Sequence, residues 1–161
     1  MNELDVTIKE MPVTDEEKLN FFKAFLADKP YEATEELFDG GLKLKFKSLS
    51  VAESSAVFEQ LRKDQQNDRV TTDAAYMMLL TNYRLIYGLV SINGEDVNPA
   101  ITADYKPVDA SDSYVRAKAA VLQTWPVFKL SAVAEAFKVF EDKLLFLTKE
   151  TTKPGFWKAA K

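Results

Sequence analysis

The 161-residue sequence predicts an α+β fold, mainly α, with a small antiparallel hairpin near the N-terminus followed by a helical, bundle-like C-terminal half. Three observations predict it. Thr14–Glu17 and Ser50–Glu53 are capping boxes, in which a hydroxyl accepts from the third helical N–H and the glutamate reaches back. Asp39-Gly40-Gly41 is a turn signal between two strand-like runs. Four or five apolar runs at helical spacing occupy the rest of the chain.

Taken in order, Val6 and Ile8 alternate with Thr7 and Lys9 as a weak N-terminal strand that Pro12 stops. Thr14 opens a helix whose acidic first turn suits its dipole. Its expected core stripe is Leu19, Phe22 and Leu26, with Phe25 beside it, and Asp28-Lys29-Pro30 ends it. A hairpin at 34–49 follows, with arms Thr34–Phe38 and Leu42–Leu49 and glycines supplying positive φ at its turn. In the second arm Leu42, Leu44 and Phe46 face one way and Lys43, Lys45 and Lys47 the other. That is a half-buried strand with a wet lysine face, which protects an exposed sheet.

Ser50 caps a helix to about Gln66, anchored by Val57 and Leu61 with Ala56 filling in. Asn67-Asp68-Arg69 breaks it, and Thr72 or Asp73 caps the next, from about Ala74 to Leu89. Tyr76, Leu79, Leu80, Tyr83, Leu85, Ile86 and Tyr87 make that helix apolar on more than one face, so it belongs in the core. Asn93-Gly94 is a turn, followed by a loop through Pro99 and Pro107. Asp109, Ser111 or Asp112 caps a fourth helix to about Thr124. Trp125-Pro126 marks a corner, with Pro126 at the first position of a last helix from about Val127 to Leu147. Phe128, Val133, Phe137, Phe140 and Leu144 are its expected core face. The chain therefore divides into an N-terminal α/β region (residues 1–97), a loop or linker (98–112) and a helical C-terminal region (113–161).

Composition narrows the chemistry. No cysteine is present, which removes disulfides and thiolate nucleophiles. No histidine is present, which removes the commonest general base, the commonest transition-metal ligand and every Ser-His triad. The formal net charge of −4 gives no basic footprint for nucleic acid. The longest apolar run, Ala74 to Leu80, is too short to span a bilayer. The acidic opening Met-Asn-Glu-Leu-Asp predicts no secretory leader, and a reducing cytosolic setting is expected. None of the five glycines fits a phosphate-binding fingerprint. The pairs Glu16-Glu17, Glu35-Glu36, Glu95-Asp96 and Glu141-Asp142 are neighbours in sequence, which point to different faces and do not pre-form a two-carboxylate site. No catalytic residue, no metal ligand set and no cofactor is expected.

The charge is uneven. Residues 1–40 carry four basic and eleven acidic side chains, whereas residues 114–161 carry nine and four. An acidic front and a basic back attract each other within one molecule or steer association between molecules.

Binding candidates are aromatic. Phe21 lies about 100° from the stripe of Phe22 and Phe25 on the first helix, and an exposed phenylalanine there would be a partner contact. Phe156-Trp157 follows Pro154-Gly155 beyond the last helix and either staples the C-terminus or docks into another chain. The partner-binding candidates are Phe21, Phe25, Phe156 and Trp157.

Several stretches, in order, resemble small proteins of the tail modules of tailed bacteriophages. They are Phe21-Phe22-Lys23-Ala24-Phe25-Leu26-Ala27-Asp28-Lys29-Pro30-Tyr31, Glu36-Leu37-Phe38-Asp39-Gly40 and Leu44-Lys45-Phe46-Lys47-Ser48-Leu49-Ser50-Val51-Ala52-Glu53. Tyr83-Arg84-Leu85 leading to Ser91-Ile92-Asn93-Gly94, then Trp125-Pro126-Val127-Phe128-Lys129-Leu130, Phe140-Glu141-Asp142-Lys143 and Phe156-Trp157-Lys158 continue the series over roughly residues 18–158. Order and spacing carry the resemblance, which is to tail-assembly chaperones and baseplate-hub assembly proteins; the frameshifted long form of such chaperones is not visible here. The resemblance implies a non-enzymatic protein that binds other tail or baseplate proteins; the uneven charge adds self-association as an alternative use of the same surface, and the net charge and short apolar runs lead to the expectation of no nucleic-acid or membrane partner. It places the protein in the host cytoplasm during assembly, or in the virion tail for a retained subunit. The alternative is a small host-directed binding protein or a divergent enzyme using only carboxylates.

Overall fold

Thr14 opens helix α1 (Asp15–Leu26) through the expected capping box: its hydroxyl accepts from Glu17 N–H at 3.1 Å, and the Glu17 carboxylate accepts from Thr14 N–H at 2.8 Å. The computed structural model describes residues 12–96, 112–151 and 153–155. Strands β1 (Glu32–Leu37) and β2 (Leu42–Lys47) form the hairpin, with Glu32 opposite Lys47 and Leu37 opposite Leu42. Its turn departs from expectation in detail. Phe38 (φ 54°), Asp39 (φ 53°) and Gly40 (φ 84°) take the left-handed conformation, and Gly41 does not. The first arm correspondingly ends one residue early.

Helix α2 (Val51–Gln66) starts at the second capping box, with Glu53 N–H donating to Ser50 Oγ at 3.1 Å and Ser50 N–H to Glu53 Oε1 at 3.0 Å. Thr72 caps α3 (Asp73–Gly88) by accepting from Ala75 N–H at 3.1 Å. The chain then passes without a loop into β3 (Leu89–Ile92), turns at Asn93-Gly94 and forms the short β4 (Glu95–Asp96). The sheet is antiparallel in the order β1-β2-β3-β4, with a register shift between Lys45 and Phe46 where β2 meets β3. Helices α4 (Asp112–Gln123) and α5 (Val127–Glu150) complete the fold, which is α+β and mainly α.

The third and fourth strands extend the expected hairpin into a sheet. Asn93 ties them on: Lys43 N–H donates to its side-chain oxygen at 2.8 Å, and Asn93 N–H donates to Lys43 O at 2.8 Å. Pro126 is the cap of α5 rather than its first helical residue. The expected N-terminal strand, the linker up to residue 111 with cap candidates Asp109 and Ser111, and the Phe156-Trp157 pair lie outside the described residues.

One core joins the N-terminal and C-terminal regions of the chain. Phe46 of β2 meets Phe137 and Phe140 of α5 at ring-centroid distances of 5.3 and 5.7 Å, and Tyr31 stacks on Phe140 at 5.9 Å. Leu44, Val57, Leu61, Leu85, Ile86, Leu122, Val133 and Leu147 close around them. Gly88 lets α5 approach: a Cβ there would lie 2.4 Å from the Phe137 ring. Lys118 of α4 is only 1% exposed and donates from Nζ to Leu89 O at 2.7 Å, fixing α4 to the start of β3.

Candidate functional site

The α1 stripe faces inward differently from its hydropathy. Phe21 is 6% exposed, set edge-on to Tyr31 at 5.7 Å, while Phe25 is 59% exposed and Leu26 is also outside. Phe21 is therefore a core residue and not an exposed partner contact, and Phe25 and Leu26 are not core. The reason is Glu17. It lies on the inward stripe with Phe21 and Ala24, and is accepted there because Lys143 of α5 stands 3.7 Å away. Phe128 is likewise corrected: it is 78% exposed, whereas Val133, Phe137 and Phe140 of the same expected face are buried.

The lysine face of β2 is zipped to acids. Lys45 pairs with Glu32 at 3.1 Å, Lys47 with Glu53 at 2.8 Å, and Lys43 with Glu36 at 3.9 Å. These lysines serve the sheet surface, as their alternation suggested.

A cleft of about 510 Å³ opens between α2, α3, α4 and the first turns of α5. Asp64 forms part of its wall. The buried stripe of α2 runs Glu53, Val57, Leu61, Asp64, so it carries an acid at each end. Glu53 is satisfied by Lys47 and the capping box. Asp64 accepts from the Tyr83 hydroxyl of α3 and from Gln60 Nε2 at 3.3 Å, with Arg69 Nη1 at 3.9 Å. Burial, helped by the hydrogen bond to the Asp64 carboxylate and its charge, pushes the Tyr83 phenol up to about 12. Tyr31 is pushed up to about 12 by burial and by the charges of Glu17 and Glu35. On the α3–α5 seam Glu141 pairs with Arg84, yet burial outweighs that cation and raises its carboxyl above the usual range.

The apolar part of the lining is Leu79, Ile86, Leu122 and Leu130. Among its described lining residues Asp64 is the one carboxylate, so no acid pair meets there. Among the described residues no group of three or more acidic, histidine or cysteine side chains is placed to hold a metal ion. Sequence reasoning did not find this cleft. The available signal was an aspartate continuing the Val57–Leu61 stripe, which required a partner on the facing helix.

The surface also carries exposed apolar neighbours on three helices: Phe25-Leu26 on α1, Met77-Met78 on α3 and Val127-Phe128 on α5. Among the described residues no helix is long and apolar enough to cross a membrane. The chain matches no protein-family profile, no curated protein sequence and no solved structure.

Proposed function

We propose that this chain is a non-enzymatic component of bacteriophage tail or baseplate assembly that acts by binding other proteins, as an assembly chaperone or a virion subunit. The observation that carries the binding role is the set of three exposed apolar pairs, Phe25-Leu26, Met77-Met78 and Val127-Phe128. Single exposed apolar residues are ordinary on a protein surface; these six large side chains, the aromatic rings of Phe25 and Phe128 among them, leave apolar surface on three helices for a partner to cover. Phe25 is the aromatic candidate among the described residues that is open to a partner, and Phe156 and Trp157 share the proposed role. The tail setting is supported by the ordered stretches from Phe21 to Lys158.

Co-purification with tail or baseplate proteins, read by mass spectrometry of assembly intermediates and purified virions, tests the proposal. Tail proteins should be retained by the native chain and lost by a variant carrying Phe25→Asp and Phe128→Asp. Equal retention by both, or none by either, overturns it.

A further inference from the structure

The α2–α3–α4–α5 cleft carries an inference that rests on the protein-binding reading. We propose that it is the socket for a peptide segment of a partner protein, one large apolar side chain flanked by acidic residues. Half-buried Leu79 and Leu130 line it together with buried Ile86 and Leu122, which suits an apolar anchor, and its volume of about 510 Å³ holds that side chain with its adjoining peptide units.

The cleft also offers groups suited to a main chain. Asn67, Asn82 and Gln123 line it, and none makes a side-chain hydrogen bond within the described chain. A carboxamide donates and accepts, matching the N–H and C=O of a peptide unit. A segment entering the cleft must have those groups paired once they leave water.

Charge sets the flanking residues. Arg69 lines the cleft with its side chain 72% exposed, and Lys63 lines it too. Against these two cations the described lining sets one carboxylate, Asp64, which stands 3.9 Å from Arg69 and accepts from Tyr83 and Gln60, so the formal charge of that lining is positive by one. An acidic flank therefore meets a lining of net positive charge, while a basic flank meets like charge.

The test is an NMR titration of the full ¹⁵N-labelled chain with three blocked pentapeptides. One has phenylalanine between two acidic residues on each side, one has the same phenylalanine between lysines, and one replaces the phenylalanine of the first by alanine. The acidic phenylalanine peptide should shift the side-chain amides of Asn82 and Gln123. Each other peptide should bind at least about tenfold more weakly. Ala120→Trp fills the cleft from an exposed position of α4 and should abolish the shifts with the circular dichroism unchanged. Arg69→Glu, also at an exposed position, should reverse the preference between the acidic and lysine peptides. Equal binding of those two, shifts located elsewhere, or no shifts at about 1 mM peptide overturns the inference. So do cleft shifts that depend on protein concentration without peptide, since a second copy would then fill the site. Partner retention through the exposed apolar pairs is measured separately, so this inference fails without the proposed function failing.

Discussion

Lys143 of α5 donates from Nζ to Glu35 of β1 at 3.2 Å, and the same ammonium stands 3.7 Å from Glu17 of α1. One cation thus gathers an acid from the first helix and one from the first strand. The opposite charges of the two ends of the chain meet inside the molecule at this point. All three side chains are largely withdrawn from water, so the pairing is screened less than a surface bridge.

Lys143→Ala should therefore destabilise the protein by about 1–3 kcal/mol, because Glu35 keeps its charge without the donor it has among the described residues. Urea unfolding of the native chain, Lys143→Ala, Glu35→Gln and the double variant checks this. The two effects should be non-additive by at least about 0.5 kcal/mol.

Gly88→Ala should cost about 1–3 kcal/mol by overpacking, since the new methyl meets the buried Phe137 ring. A thermal melt reads the loss. Phe137→Leu in the same chain should recover some of it, by vacating the atoms nearest the added methyl.

Stability should fall as pH rises from about 10 to about 12. Both Tyr31 and Tyr83 have folded-state values raised from 10.0 to about 12, so the folded protein holds their protons more tightly than the unfolded chain does. Their contribution is fully present below pH 10 and is lost as pH climbs through the folded values. Phenolate absorbance with denaturant midpoints across that window checks the direction, and Tyr83→Phe should flatten some of the decline.

Phe25→Asp and Phe128→Asp should leave stability within about 0.5 kcal/mol of native, since both positions are exposed. Chemical denaturation of each variant checks the fold independently of any partner.

Much of this fold was legible because it is written locally. Thr14–Glu17 and Ser50–Glu53 each place a helix start, and the Leu42–Lys47 alternation gives both faces of β2. Where charge entered the core, hydropathy misled. Glu17 on the inward stripe of α1 shifted the expected face to Phe22 and Phe25, although Phe21 is the buried ring. Strand β3 was hidden because Leu89–Ile92 continues the apolar run of α3, and its pairing with Leu44–Phe46 is a long-range fact. The cleft was invisible for the same reason: Asp64 and Tyr83 are nineteen residues apart and meet only when α2 and α3 pack.

The direct passage from Gly88 into Leu89 makes the chain sensitive to length there in a way that substitutions do not expose. A helix advances about 100° per residue and a strand reverses its side chain at each step. One residue inserted after Arg84 would turn the end of α3 away from Phe137 and transpose the two faces of β3, with no intervening loop to take up the slack. The connection between α2 and α3, by contrast, has room for an added residue at exposed Thr71, beyond the hydrogen-bonded cap Asn67–Asp68–Arg69. Insertions and deletions should thus be tolerated between α2 and α3 and rejected between α3 and β3.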